Sequence, residues 1–228
     1  MSMTMPSQHE ADPCRVAVAV AVDAALLWDW LAGRSLARGL PMPVPDHGGM
    51  RVDTAAPDEV CRYVFAGPAP AIRTLAASIR SPRIFIKSCG PGDALLALAP
   101  PGWRLQPGAW FMTQDGAAQE TAPLPPGYRI EVSKDGAAIA AAILSEDGTL
   151  AASGHAARYG RAFVFDRIET HPAHRRRGLG TALMAALGAM PECDGAARVL
   201  VATDEGRALY EALGWTVASP YSTIGMAG

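Results

Sequence analysis

Apolar positions along the chain fall into short runs of two periods, punctuated mainly by glycine and proline. Val16–Trp30 is apolar except where Asp23 and Asp29 interrupt it, and Ala25, Leu26, Trp28, Trp30 and Leu31 lie close to one helical face. Behind Arg15 the run has the position of a signal-peptide core. Glu10 and Asp12 precede it, however, and it is too short to span a bilayer, so it is read as a core element, the first helix, and export is not expected. Pro41, Pro43 and Pro45 then alternate between Gly39 and Gly49, which predicts a loop.

A strand at Cys61–Phe65, a helix at Ala71–Ile79, a strand at Arg83–Lys87, a helix at Asp93–Leu98 and a strand at Trp103–Thr113 with a Pro-Gly break follow in succession. The segment Gln114–Gly127 has almost no apolar periodicity and ends in Pro125-Pro126-Gly127, the best domain boundary in the chain. It divides residues 1–125 from residues 126–228. Beyond it, Tyr128–Val132, Ala138–Leu144, Leu150–Arg158 and Ala162–Thr170 are separated by short turns such as Asp135-Gly136 and Asp147-Gly148, which signal hairpins. The last part reads as a helix at Thr181–Met190, a strand at Arg198–Thr203, a helix at Gly206–Leu213 and a final pair of strands from Trp215 onwards.

One self-similarity crosses the boundary. Arg83–Thr113 and Arg198–Met226 share an order: a strand after arginine, a helix led by glycine, a Gly-Trp pair, then a strand containing methionine. An N-terminal unit built like the end of the C-terminal one is therefore expected.

Composition narrows the class. The 228 residues are 50% apolar and 18% charged with a net charge of −2, which excludes a disordered chain and a strongly basic nucleic-acid binder. Cys14, Cys61, Cys89 and Cys193 are widely spaced with no C-x-x-C pair, so no zinc site or disulfide framework is indicated and four free thiols in a reducing cytoplasm are expected.

The chemistry is concentrated in Ala162–Met184. A strand runs through a proline turn into Arg175-Arg176-Arg177-Gly178-Leu179-Gly180, which opens a helix with Leu183, Met184 and Leu187 on one face. Glycines let backbone approach an anion closely, and a helix start presents unpaired N–H groups at a positive dipole end, so the stretch reads as a pyrophosphate cradle. It is neither a P-loop, which ends in Gly-Lys-Ser/Thr, nor a dinucleotide fingerprint, which needs three spaced glycines. Three arginines without interleaved aromatics are a poor nucleic-acid surface in an acidic chain.

The run Arg175-x-x-Gly178-x-Gly180, preceded by Thr170-His171-Pro172, resembles the acyl-CoA signature of the GNAT superfamily of N-acyltransferases, and Leu209-Tyr210-x-x-x-Gly214-Trp215 resembles its second signature. The resemblance covers about Tyr128–Gly228. It implies an α/β (α+β) fold with a mixed, mainly antiparallel C-terminal sheet flanked by helices, beside an N-terminal α/β domain like a degenerate half of the same fold. It also implies that Ile168, Glu169 and Thr170 offer backbone groups to pantetheine, that Arg175, Arg176, Arg177, Gly178, Leu179, Gly180 and Thr181 hold the pyrophosphate, and that Tyr210 protonates the leaving thiolate. Thr203 stands where many members have asparagine.

The reaction so implied is direct attack of a primary amine of a small metabolite or amino-acid derivative on acetyl-CoA, with no metal, nucleic acid or membrane involved and with a monomer and a homodimer both open. Glu169, Asp166 and His155 are the candidate bases, of which Glu169 is taken forward. A non-catalytic acyl-CoA sensor is the alternative. It would have no need of Tyr210.

Overall fold

A computed structural model describes residues 22–115 and 122–227; Cys14, the start of the Val16–Trp30 run and the middle of the predicted boundary segment lie outside the described residues. The elements are α1 (Ala24–Ala37), β1 (Val44–Asp46), β2 (Gly49–Asp53), β3 (Cys61–Phe65), α2 (Ala71–Ser78), β4 (Ile84–Cys89), α3 (Gly92–Leu96), β5 (Trp103–Leu105) and β6 (Ala109–Gln114). They continue with β7 (Tyr128–Asp135), β8 (Ala138–Ser145), β9 (Leu150–Tyr159), β10 (Ala162–Thr170), α4 (Leu179–Gly188), β11 (Ala197–Thr203), α5 (Asp204–Ala212) and β12 (Thr216–Met226).

The strands form one sheet in the order β1-β2-β3-β4-β12-β6-β11-β10-β9-β8-β7, with β5 paired to the end of β12. Side chains alternate between the two faces of a strand, and here the two faces fill different cores. Phe163 and Phe165 of β10 pack with Leu183 and Leu187 of α4, whereas Ala162 and Val164 pack with Leu27, Trp30 and Leu31 of α1. Thus α1 and α4 cover opposite faces of the β8–β10 region. The first helix of the chain completes the C-terminal sheet. A third core joins α2 and α3 to β3, β4 and Ile224 of β12.

The two halves exchange strands reciprocally. β6, from the N-terminal half, lies between β11 and β12 and is antiparallel to both. β12, from the C-terminal half, reaches past β6 to pair antiparallel with β4 at Tyr221–Ile224 and with β5 at Ile224–Met226. The similarity between Arg83–Thr113 and Arg198–Met226 thus has a spatial counterpart: each segment supplies the strand inserted into the other half.

Two local expectations are corrected. The predicted loop Gly39–Gly49 contains the edge strand β1, in which Pro45 is tolerated because an edge strand need not donate on both sides. The predicted final pair of strands is the single strand β12. Pro220 does not end it; a register shift between Val217 and Ser219 bends the strand as it passes from β6 to β4.

Parallel pairing differs between the halves. β3 and β4 are matched from Cys61↔Ile84 to Phe65↔Ser88, while β10 and β11 are matched only from Ala162↔Ala197 to Val164↔Val199. Beyond Val164 the two strands separate, although β10 continues to Thr170 and β11 to Thr203.

Candidate active site

The separation of β10 from β11 opens a cleft of about 1180 Å³. That exceeds the roughly 300–1,000 Å³ usual for one small ligand. Its outer part is formed by β10 and the start of α4, its wall by β11 and α5, and Arg34 and Arg38 of α1 reach its inner end.

Backbone geometry makes the outer part an anion site. Arg176 has φ 62° and Gly178 φ 77°, two left-handed residues that turn the chain sharply into α4. No side chain caps the helix, and the first backbone N–H bonded within this turn is that of Ala182, which donates to the Gly178 carbonyl at 3.0 Å. The amides of Leu179, Gly180 and Thr181 are the open donors of the first turn, and all three residues line the cleft. At Gly180 an added Cβ would lie 3.1 Å from Leu209 Cδ2, so glycine here lets α4 approach α5.

Of the predicted cofactor residues, Ile168, Glu169, Thr170, Arg175, Arg176, Gly178, Leu179, Gly180 and Thr181 all line the cleft. Arg177 does not. Its guanidinium donates to the Tyr128 hydroxyl at 2.8 Å, and that hydroxyl also lies 3.0 Å from His174 Nδ1, in a separate shallow groove. The β9–β10 ladder is bulged between Asp166 and Glu169, with Arg167 at φ 51°. Glu169 is exposed at the lip.

The second signature folds as a helix ending. Gly214 at φ 81° closes α5, its N–H donates to the Glu211 carbonyl at 3.0 Å, and the Trp215 N–H donates to the Tyr210 carbonyl at 3.0 Å. This is a Schellman cap, which explains the spacing of Tyr210, Gly214 and Trp215. Trp215 is brought back against Tyr210 and Phe165, with ring centroids 6.2 Å and 5.3 Å apart. Tyr210 lines the cleft, and burial, with the nearby Asp166 charge, raises its pKa to about 12. Thr203 caps α5 by accepting from the Gly206 N–H at 3.2 Å.

The candidate bases separate. Asp166 accepts from Arg38 Nε at 2.5 Å, Arg38 Nη2 at 2.9 Å and Arg34 Nε at 3.2 Å. Burial alone would raise its pKa, but the hydrogen bonds and charges of Arg38 and Arg34 prevail and hold it below the usual carboxylate range. A carboxylate so engaged is a poor base. His155, on β9, does not line the cleft. Arg34 and Arg38 are the residues that sequence reasoning missed. Their spacing puts them on one face of α1, but nothing local to them points to a partner on β10.

Residues 134–217 match the family model of the Acetyltransferase (GNAT) domain. The structure is similar to a GCN5-related N-acetyltransferase from Kribbella flavida, with a TM-score of 0.64 at 18% identity, covering 93% of this chain and 97% of that one. It is also similar to a protein assigned to the GNAT family from Novosphingobium aromaticivorans, with a TM-score of 0.57 at 20% identity over 89% and 97%. A tandem GNAT protein from the clavulanic acid biosynthesis pathway aligns with a TM-score of 0.50 at 15% identity over 69% and 68%. At such identities the likeness is one of fold, and it agrees with the expected mixed, mainly antiparallel sheet flanked by helices. No curated protein matches the chain. Among the described residues no helix is long and apolar enough to cross a membrane, and no cluster of three potential metal ligands occurs.

Proposed function

We propose that the protein transfers an acetyl group from acetyl-CoA to a primary amine of a small molecule. The observation that carries this reading is the set of open amides at Leu179, Gly180 and Thr181, at the mouth of the cleft where β10 and β11 part. In it the C-terminal half, residues 126–228, holds the cofactor and the N-terminal half, residues 1–125, is a second GNAT-like unit that does not. The close pairing of β3 with β4 supports that division of roles. So does Pro70 at the N-cap of α2, since proline has no amide to offer an anion.

The thioester brings an activated acyl group; the chain supplies position and protons. The α4 amides, with Arg175 and Arg176, hold the pyrophosphate. The open edge of β10 from Ile168 to Thr170 bonds the pantetheine amides as an added half-strand and places N–H donors near the carbonyl oxygen that gains charge. Tyr210, protonated throughout the neutral range, gives its proton to the departing sulfur. Glu169, at the solvent-facing lip, accepts the proton shed by the amine.

The reading is tested by thiol release from acetyl-CoA with a panel of amines, alongside thermal shift with CoA. Amine-dependent release is the expected result. Absence of any CoA-dependent shift would overturn the reading.

A further inference from the structure

The inner end of the cleft carries charge that the cofactor does not use. Arg34, Arg38 and Asp166 are all largely buried, with side-chain exposures of 15%, 15% and 9%. Two cations face one carboxylate there, which leaves one positive charge in excess. Arg34 is crowded further by Arg62, and Arg62 and Lys87 share the single carboxylate of Glu59. Desolvation, then repulsion from Arg62 and Arg38, lowers the Arg34 pKa to about 10. An unbalanced buried cation is unfavourable unless an anion completes the site.

Unused donors point the same way. Arg34 gives only Nε to Asp166, and Arg38 gives Nε and Nη2; both Nη of Arg34 and Nη1 of Arg38 have no acceptor among the described residues. Both arginines line the cleft. A guanidinium presents its N–H groups in a planar fork that matches a carboxylate.

We propose that the acceptor is a primary amine that also bears a carboxylate, bound by the spare guanidinium nitrogens of Arg34 and Arg38 at the α1 end of the cleft. This rests on the acetyltransferase reading and names the substrate class of that site. A carboxylate offers two acceptor oxygens to those free N–H groups. Tyr210, Arg34, Arg38 and Asp166 all line the one cleft.

The test uses the products of three such acceptors. N-acetylglycine, N-acetyl-β-alanine and N-acetyl-γ-aminobutyrate are titrated into the CoA-saturated protein by calorimetry, each beside its uncharged primary amide. At least one carboxylate should bind about tenfold or more tightly than its amide, the scale of one charge-assisted hydrogen bond. Arg34→Gln and Arg38→Gln should remove that difference and leave CoA affinity unchanged. The comparison within the unmodified protein needs no substitution, so a variant that fails to fold does not decide it. Equal binding of acid and amide, or binding of neither, in a protein that holds CoA normally would overturn the substrate class alone. Loss of CoA binding would overturn the acetyltransferase reading with it.

Discussion

Arg38 and Asp166 stand 128 positions apart and are joined by two hydrogen bonds, Nε to Oδ2 at 2.5 Å and Nη2 to Oδ1 at 2.9 Å. The pair fastens the first helix to β10 at the bulge, where that strand leaves β11. A close approach of helix to sheet makes this reach possible: an added Cβ at Gly33 would lie 2.7 Å from Val164 Cγ2.

Removing the shared carboxylate should therefore be costly. Asp166→Ala leaves two buried guanidinium groups without their partner and is expected to lose about 3–5 kcal/mol of stability, measured by urea unfolding. The same contact has a pH signature. Because the folded-state pKa of Asp166 lies below its ordinary value of 3.8, its contribution is complete above that value and is lost as the pH falls through the folded-state value. Stability below pH ~4 should fall more steeply in the unmodified protein than in Asp166→Asn.

Acetyl-CoA should raise the melting temperature. A ligand that binds only the native state at 100 times its Kd adds about 2.7 kcal/mol, and a dye-based melting curve with and without acetyl-CoA reads the shift directly.

Gly180→Asp should abolish CoA binding while the protein stays folded. Its carboxylate would repel the pyrophosphate, and its Cβ would have to displace the tip of Leu209, a flexible side chain. Gly178→Ala separates space from conformation. Nothing lies within 4 Å of the added Cβ, but φ is +77°, so a stability loss of about 1 kcal/mol from backbone strain is expected. Calorimetric CoA titration and urea unfolding of both variants check this.

Tyr210→Phe should lower kcat by about 10²-fold, the lower end of general-acid assistance, with little change in the CoA Kd. With its pKa raised to about 12, Tyr210 should give no alkaline loss of kcat between pH 7 and pH ~10. Equal turnover of Tyr210→Phe would make the residue a packing partner of Trp215.

Features set by local chemistry were legible in the sequence. The Gly178 and Gly180 turn and the Asp-Gly hairpins depend on residues a few positions apart, and each occurs where its pattern placed it. What escaped was set by partners distant in the chain. Pro220 looks like a strand end, yet β12 runs through it because β6 and β4 supply successive partners. Arg177 looks equivalent to Arg175 and Arg176, yet Tyr128 draws it out of the cleft. Arg34 and Arg38 look like solvent-facing arginines until Asp166 is placed beneath them.

The strand exchange also orders events at the ribosome. β4 obtains its neighbour β12, and β6 its second neighbour, only from residues 216–226. While the chain is being synthesised from the N-terminus, an edge of β4 and the apolar faces of Phe111 and Met112 await a strand more than a hundred residues downstream. Neither half can close its sheet alone. The molecule must reach its native pairing after residue 226 has emerged, through contacts of long sequence separation that fold slowly.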